Sequence, residues 1–120
     1  MRYLTGDHQA QSARVRSLID GNDIFVSTTV LLETEWVLRS VYAYPVGQLS
    51  TALRAFAGLP SVTLEDPALT AEALNRADGG MDFADALHLS KAAGCDGFVT
   101  FDRRFVQSAK KLGVNNVRTP

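Results

Sequence analysis

The stretch "GFVTFDRRFVQSAKKLG", residues 97–113, decides how the chain is read. Its first five residues form an apolar run flanked by "CDG" and "DRR", which predicts a short buried strand over residues 97–101. A basic helix follows without a linker and is closed by Gly113. "VNNVR", residues 114–118, then reads as a final edge strand. The same alternation recurs upstream. "DIFVS", residues 23–27, is short, β-branched and aromatic, and predicts a strand. "TVLLETEWVLRSVYAY" predicts about four turns of helix over residues 29–44, ending at Pro45. "PVGQLSTALRAFAGL" is amphipathic, with Leu49, Leu53 and Phe56 at helical spacing, and "SVTLE" is a short strand. "DPALTAEALNRA" opens with Asp66 as N-cap and Pro67 in the first turn, and Gly79 and Gly80 end it. "MDFADALHLS" starts a helix expected over residues 82–93. At the other end of the chain, Asp7 caps a helix expected over residues 8–20. Strands separated by helices indicate one α/β domain, residues 1–120, around a mainly parallel sheet.

Composition bounds the rest. A chain of 120 residues is long enough for one domain with a real core but not for two. Hydrophobic content is 46% and charged content 21%, as in ordinary globular proteins. No apolar run reaches the length of a membrane span, and "MRYLTGDHQA" lacks the apolar core of a secretory signal. The expected compartment is therefore the cytoplasm, without membrane attachment. The single cysteine, Cys95, agrees with a reducing compartment and argues against a thiolate metal site. With a net charge of −1, any contact with nucleic acid must be local.

The acids carry the chemistry. Asp82 and Asp85 are three apart, neighbours at the first turn of one helix, where the helix dipole favours both ionised forms. Helix capping is the plain alternative. Asp102 stands at the carboxyl end of the strand 97–101, the edge where parallel α/β sheets build their sites. Here the plain alternative is a turn residue. Thr100, two residues earlier, shares its side of the strand and could orient a carboxylate or a water. Glu33 lies one helical turn beyond the strand 23–27, between Trp36 and Val37. Glu35 lies on the opposite border of the apolar face, and periodicity does not choose between them. Converging carboxylates repel unless a cation lies between them. Oxygen donors suit Mg²⁺ or Mn²⁺ better than Zn²⁺, and such an ion activates water against a phosphoryl group. Arg103 and Arg104 follow Asp102 directly and could hold phosphates, with Lys110 and Lys111 about two turns on; a solvated basic face is the alternative.

Other residues read as structural. His88 is a hydrogen-bonding neighbour for Asp85, His8 a surface residue, Cys95 a small core or loop residue, and Trp36 a core or interface residue. The helix 29–44 has one broad apolar face (Val30, Leu31, Val37, Leu38, Val41) and a second stripe (Leu32, Trp36). A helix apolar on two sides is expected to be buried on two sides, which in a small chain points to a partner or a second copy.

Three stretches together, "TTVLLETEWVLRS", "MDFADALHLSKAAG" and "GFVTFDRRF", resemble the PIN domain, and in particular the VapC-type toxin ribonucleases of bacterial toxin–antitoxin pairs. Their order and spacing match over essentially the whole chain. The resemblance implies a three-layer α/β fold with a mainly parallel sheet flanked by helices, and a Mg²⁺-dependent endoribonuclease. It also implies a homodimer and inhibition by a small antitoxin. By position, the acidic residues of the motifs fall on Glu33, Asp85 and Asp102, with Asp82 as a common extra acid. One departure is marked. Family members begin with a short apolar strand ending in an aspartate, whereas this chain opens on "MRYLTGD". That central strand and its metal-binding aspartate are therefore expected to be absent, and activity to be low. A late start assignment is the favoured explanation, a true truncation the other; the intact mass of protein from its native source separates them. Two further functions stay open: a non-catalytic protein that binds an antitoxin or self-associates, and a different Mg²⁺-dependent phosphoryl-transfer enzyme.

Overall fold

The computed structural model describes residues 22–120. The helix expected over residues 8–20, with Asp7 and His8, lies outside the described residues. Nine elements follow in order: β1 (Ile24–Val26), α1 (Thr28–Ser40), α2 (Val46–Ala57), β2 (Val62–Leu64), α3 (Pro67–Asp78), α4 (Phe83–Lys91), β3 (Phe98–Val99), α5 (Arg103–Lys111) and β4 (Val117–Arg118). This is the α/β alternation that the hydrophobic periods predict. The chain divides into two compact units, Met1–Asp66 and Pro67–Pro120. Among the described residues the strands form two parallel pairs, β1–β2 and β3–β4, rather than one continuous sheet.

In the first unit, β1 and β2 pair in register, Ile24 with Val62 and Val26 with Leu64. The helix α1 starts where side chains can satisfy its free amides. Ser27 Oγ accepts from the Val30 N–H at 3.2 Å, and Glu65 Oε1, just past β2, accepts from the Thr28 N–H at 2.9 Å. The buried stripe of α1 is Thr28, Leu31, Thr34, Glu35 and Leu38. The helix α1 packs against α2, and α2 against β2; Leu31, Leu38, Leu49, Leu53, Val26 and Val62 are buried.

Two expectations for α1 need correction. Neither apolar side is fully buried: Val30 and Val41 of the broad face are exposed, and so is Trp36 of the second stripe, so Trp36 is not a core residue of the described chain. The stripe that packs is centred on Leu31, Glu35 and Leu38, which turns the other apolar residues outward. The helix also stops at Ser40, four residues short of the expected end. "VYAY" is β-branched and aromatic, a weak helix continuation, and Pro45 disfavours helical geometry just before it. Ala43 takes φ +54°, and the Tyr44 N–H donates to the Leu38 carbonyl at 3.0 Å, closing the end.

In the second unit, α3 packs along α4, burying Leu69, Ala73, Leu74, Phe83, Ala86 and Leu87. Arg76 ties the pair together. It donates to the buried Ser90 hydroxyl at 2.6 Å and pairs with Glu72 at 3.0 Å. Between the helices, Gly80 takes φ +106°, open to glycine and strained for other residues. The parallel pair β3–β4 aligns Phe98 with Val117 and Val99 with Arg118. Phe98 stacks on Phe105 of α5, ring centroids 4.7 Å apart, and so anchors that helix beneath the strand pair.

The stretch 97–101 is not the buried strand its composition predicts. The strand is limited to Phe98–Val99, Val99 is exposed, and Phe101 is 87% exposed. Among the described residues β3 has one neighbour, β4, so only the Phe98 side of the strand is packed.

Candidate metal-binding site

The second unit carries three of the four predicted acids, two of which begin helices. Asp82 is the N-cap of α4, its Oδ2 accepting from the Asp85 N–H at 3.2 Å. Asp102 is the N-cap of α5, its Oδ1 accepting from the N–H groups of Arg104 at 2.9 Å and Phe105 at 3.3 Å. The capping alternative raised for Asp82 is thus real, and Asp102, for which a turn residue was the alternative, is a cap as well. Capping does not exhaust them, because a carboxylate has two oxygens and Asp102 caps with Oδ1 alone. Thr100 does not orient a carboxylate oxygen here. Its Oγ1 accepts the Asp102 N–H at 3.1 Å, which fixes the backbone under the acid.

Asp85 lies within electrostatic reach of the other two acids. Its carboxyl is held above the ordinary carboxylate range, first by burial, then by the charges of Asp82 and Asp102, against a smaller opposing pull from His88. Asp102, from the strand-to-helix turn after β3, therefore lies within electrostatic reach of the pair on α4. The unit gathers negative charge at two helix starts and partly desolvates one member. That is an unfavourable arrangement unless something positive compensates it.

Oxygen donors of this kind fit a hard divalent ion. The grouping is nevertheless looser than a finished coordination sphere. Among the described residues, no three His, Cys, Asp or Glu side chains stand close enough together to hold a metal. The three aspartates share an electrostatic field, with Asp82 and Asp102 each lending one oxygen to a helix amide.

Residues 2–111 match the sequence pattern of the family described as PIN domain. The chain belongs to the PIN domain family. No curated protein and no solved structure matches it. PIN domains are α/β domains, generally metal-dependent nucleases that act on RNA and often occur in toxin–antitoxin systems. The hard-oxygen character of the aspartate group suits a PIN domain's divalent ion.

The remaining predicted residues separate by burial. Glu33 belongs to the first unit and is exposed on α1, whereas Glu35 is buried and paired with Arg39 at 3.1 Å. Periodicity left these two open; the structure makes Glu35 part of the core of its unit and Glu33 the accessible acid. Arg103 and Arg104 are exposed in the first turn of α5, as are Lys110 and Lys111 in its last. The lysines sit where a helix dipole favours cations, and the arginines where it opposes them. The lysines therefore have a structural explanation that the arginines lack. His88 and Cys95 are exposed, and Cys95 is a free thiol. No helix among the described residues is long and apolar enough to cross a membrane. Sequence reasoning missed Phe101, which it placed inside a buried strand. The available signal was its position beside Asp102 and two arginines.

Proposed function

We propose that this PIN domain is a Mg²⁺-dependent endoribonuclease, a toxin of VapC type held in check by a small antitoxin, with Mn²⁺ as an alternative ion. The observation that carries the reading is the raised Asp85 carboxyl, which registers Asp82 and Asp102 as neighbouring negative charges in one unit. Asp82, Asp85 and Asp102 are proposed as ligands that the ion itself would draw together; Glu33 is added by its family position alone. A bound ion would supply an activated water and neutralise charge on the phosphate. The chain's own part is positioning. The α5 cap and the Thr100 hydroxyl fix Asp102 from both sides. Arg103 and Arg104, one and two residues further on, hold phosphate oxygens of the RNA backbone.

The test is cleavage of single-stranded RNA by the purified chain with Mg²⁺, with Mn²⁺ and with EDTA. Low cleavage with either metal and none with EDTA is expected. Hydrolysis of a small phosphoester without RNA cleavage would instead identify a different phosphoryl-transfer enzyme.

A second reading rests on exposed apolar residues of α1 and its C-cap. Val30 and Val41 on one border of the buried stripe, and Trp36 on the other, leave apolar surface exposed. A non-catalytic PIN domain that pairs with itself or with an antitoxin would use it. Stable association with a small partner, together with no metal-dependent cleavage, favours this reading over the first.

A further inference from the structure

The turn between β3 and α5 holds a large aromatic ring in water. Phe101 is 87% exposed, more than any other large hydrophobic among the described residues. A loose loop does not explain it, because the backbone is pinned on both sides. The Thr100 N–H donates to the Arg118 carbonyl at 3.0 Å, and the Asp102 N–H donates to Thr100 Oγ1 at 3.1 Å. Asp102 then caps α5. Nor does the local core require the ring, since Phe98 and Phe105 already form its stacked pair. Immediately after Asp102, Arg103 and Arg104 put two exposed cations at the helix end that disfavours them. Three side chains around one acid thus break two local rules of folding, which marks a place shaped by something other than stability.

A solvated aromatic ring on a pinned backbone, beside two cations, matches single-stranded nucleic acid, whose bases stack on aromatic faces while its phosphates pair with arginine. We propose that Phe101 is a stacking platform for one unpaired RNA base, with Arg103 and Arg104 holding phosphates of the same strand. The proposal rests on the nuclease reading and narrows its substrate. A base inside a duplex has both faces covered by its neighbours, so Phe101 contributes only where the strand is unpaired. The backbone on either side of the ring is already pinned, so little backbone ordering is needed on binding.

The experiment measures the affinity of a labelled single-stranded RNA of mixed sequence and of its duplex, with EDTA present, over a series of salt concentrations. Phe101→Ala is expected to weaken single-strand binding about tenfold or more. Its salt slope, its duplex affinity and its Tm should match the wild type, and Phe101→Trp should restore the loss. Arg103→Gln and Arg104→Gln should weaken both RNAs and flatten the single-strand salt slope by about 0.7 each. Unchanged single-strand affinity in Phe101→Ala, beside wild-type cleavage, overturns the platform and leaves the nuclease reading standing. Absence of wild-type binding to either RNA removes both. A Phe101→Ala protein that binds RNA normally but loses self-association marks a protein-docking residue and overturns the proposal as well.

Discussion

Asp102 has two duties that substitution can separate. As N-cap of α5 it accepts two backbone N–H groups on one oxygen, from Arg104 at 2.9 Å and from Phe105 at 3.3 Å. As an acid it adds charge beside Asp85. Asparagine caps a helix about as well as aspartate and can offer its carbonyl oxygen to the same donors. What Asp102→Asn loses is the charge–dipole attraction, worth about 0.3–1 kcal/mol at an exposed site. It also removes one of the charges that raise the Asp85 carboxyl, which works in the opposite direction. The net change in stability should therefore be under about 1 kcal/mol. Asp102→Ala loses the cap itself, about 0.5–2 kcal/mol. The upper half of that range applies, because the ring of Phe105 is buried and its amide N–H has poor access to replacement water.

Thermal unfolding and RNA cleavage read out the two duties independently. For a chain of this size, about 1 kcal/mol moves the Tm by roughly 3–6 °C. Asp102→Asn should unfold within a few degrees of wild type, lose Mg²⁺-dependent cleavage and lose any Mg²⁺-induced rise in Tm. Asp102→Ala should show the same functional losses and a clearly lower Tm. Wild-type cleavage by Asp102→Asn would refute the site assignment. Equal Tm values for the alanine and asparagine variants would refute the capping argument.

Burial and its neighbours raise the Asp85 carboxyl, so the folded state holds that proton more tightly than the unfolded chain does. Stability contributed by this group therefore falls as pH rises from the ordinary value of 3.8 through the raised folded value, and stays lower above it. Asp85→Asn should consequently be more stable than wild type at neutral pH, with the difference disappearing toward acid in a Tm-against-pH series. Glu33→Gln should leave the Tm unchanged and reduce Mg²⁺-dependent cleavage; retained cleavage would remove Glu33 from the site. Arg39→Ala strands the buried Glu35 carboxylate and should lower stability by about 1–3 kcal/mol in urea unfolding, with Glu35→Gln in the same background recovering part of it. Gly80→Ala forces a Cβ into left-handed backbone, so a loss of about 1 kcal/mol or more is expected by the same measurement.

Features governed by local chemistry were legible in the sequence. Helix starts at Pro67, Phe83 and Arg103 follow from proline and capping aspartates, whose bonds reach only two or three residues along the chain. The expectation that Asp102 joins Asp85 came from a topological rule, that parallel strands present their carboxyl ends to one edge; Asp102 is one of the charges that Asp85 feels. What failed depended on tertiary neighbours. "GFVTF" has the composition of a buried strand, but burial requires something on both faces, and among the described residues nothing buries Val99 or Phe101. The α1 helix overran because periodicity measures apolar spacing and is blind to the left-handed turn at Ala43. Glu33 and Glu35 were indistinguishable by pattern. Only packing chose Glu35 for the interior, and only the Arg39 guanidinium four residues on makes that burial tolerable.

The double use of Asp82 and Asp102 bears on how such a site persists. A carboxylate that only held a metal would destabilise the apo chain wherever acids crowd together, as Asp85 does. One that also caps a helix returns part of that cost through the amide bonds, so two of the three aspartates contribute to folding with or without an ion. The arrangement leaves a distinct signature in single substitutions. At Asp82 and Asp102, alanine should harm both stability and function, while at Asp85 the two should move in opposite directions. A site assembled only for capping would show no functional loss at any of the three, and one assembled only for metal would show a stability gain at each. The mixed pattern follows from geometry in which the acid nearest the α4 helix start caps it, the acid nearest the α5 helix start caps that, and the acid between them in sequence supplies the half-buried charge.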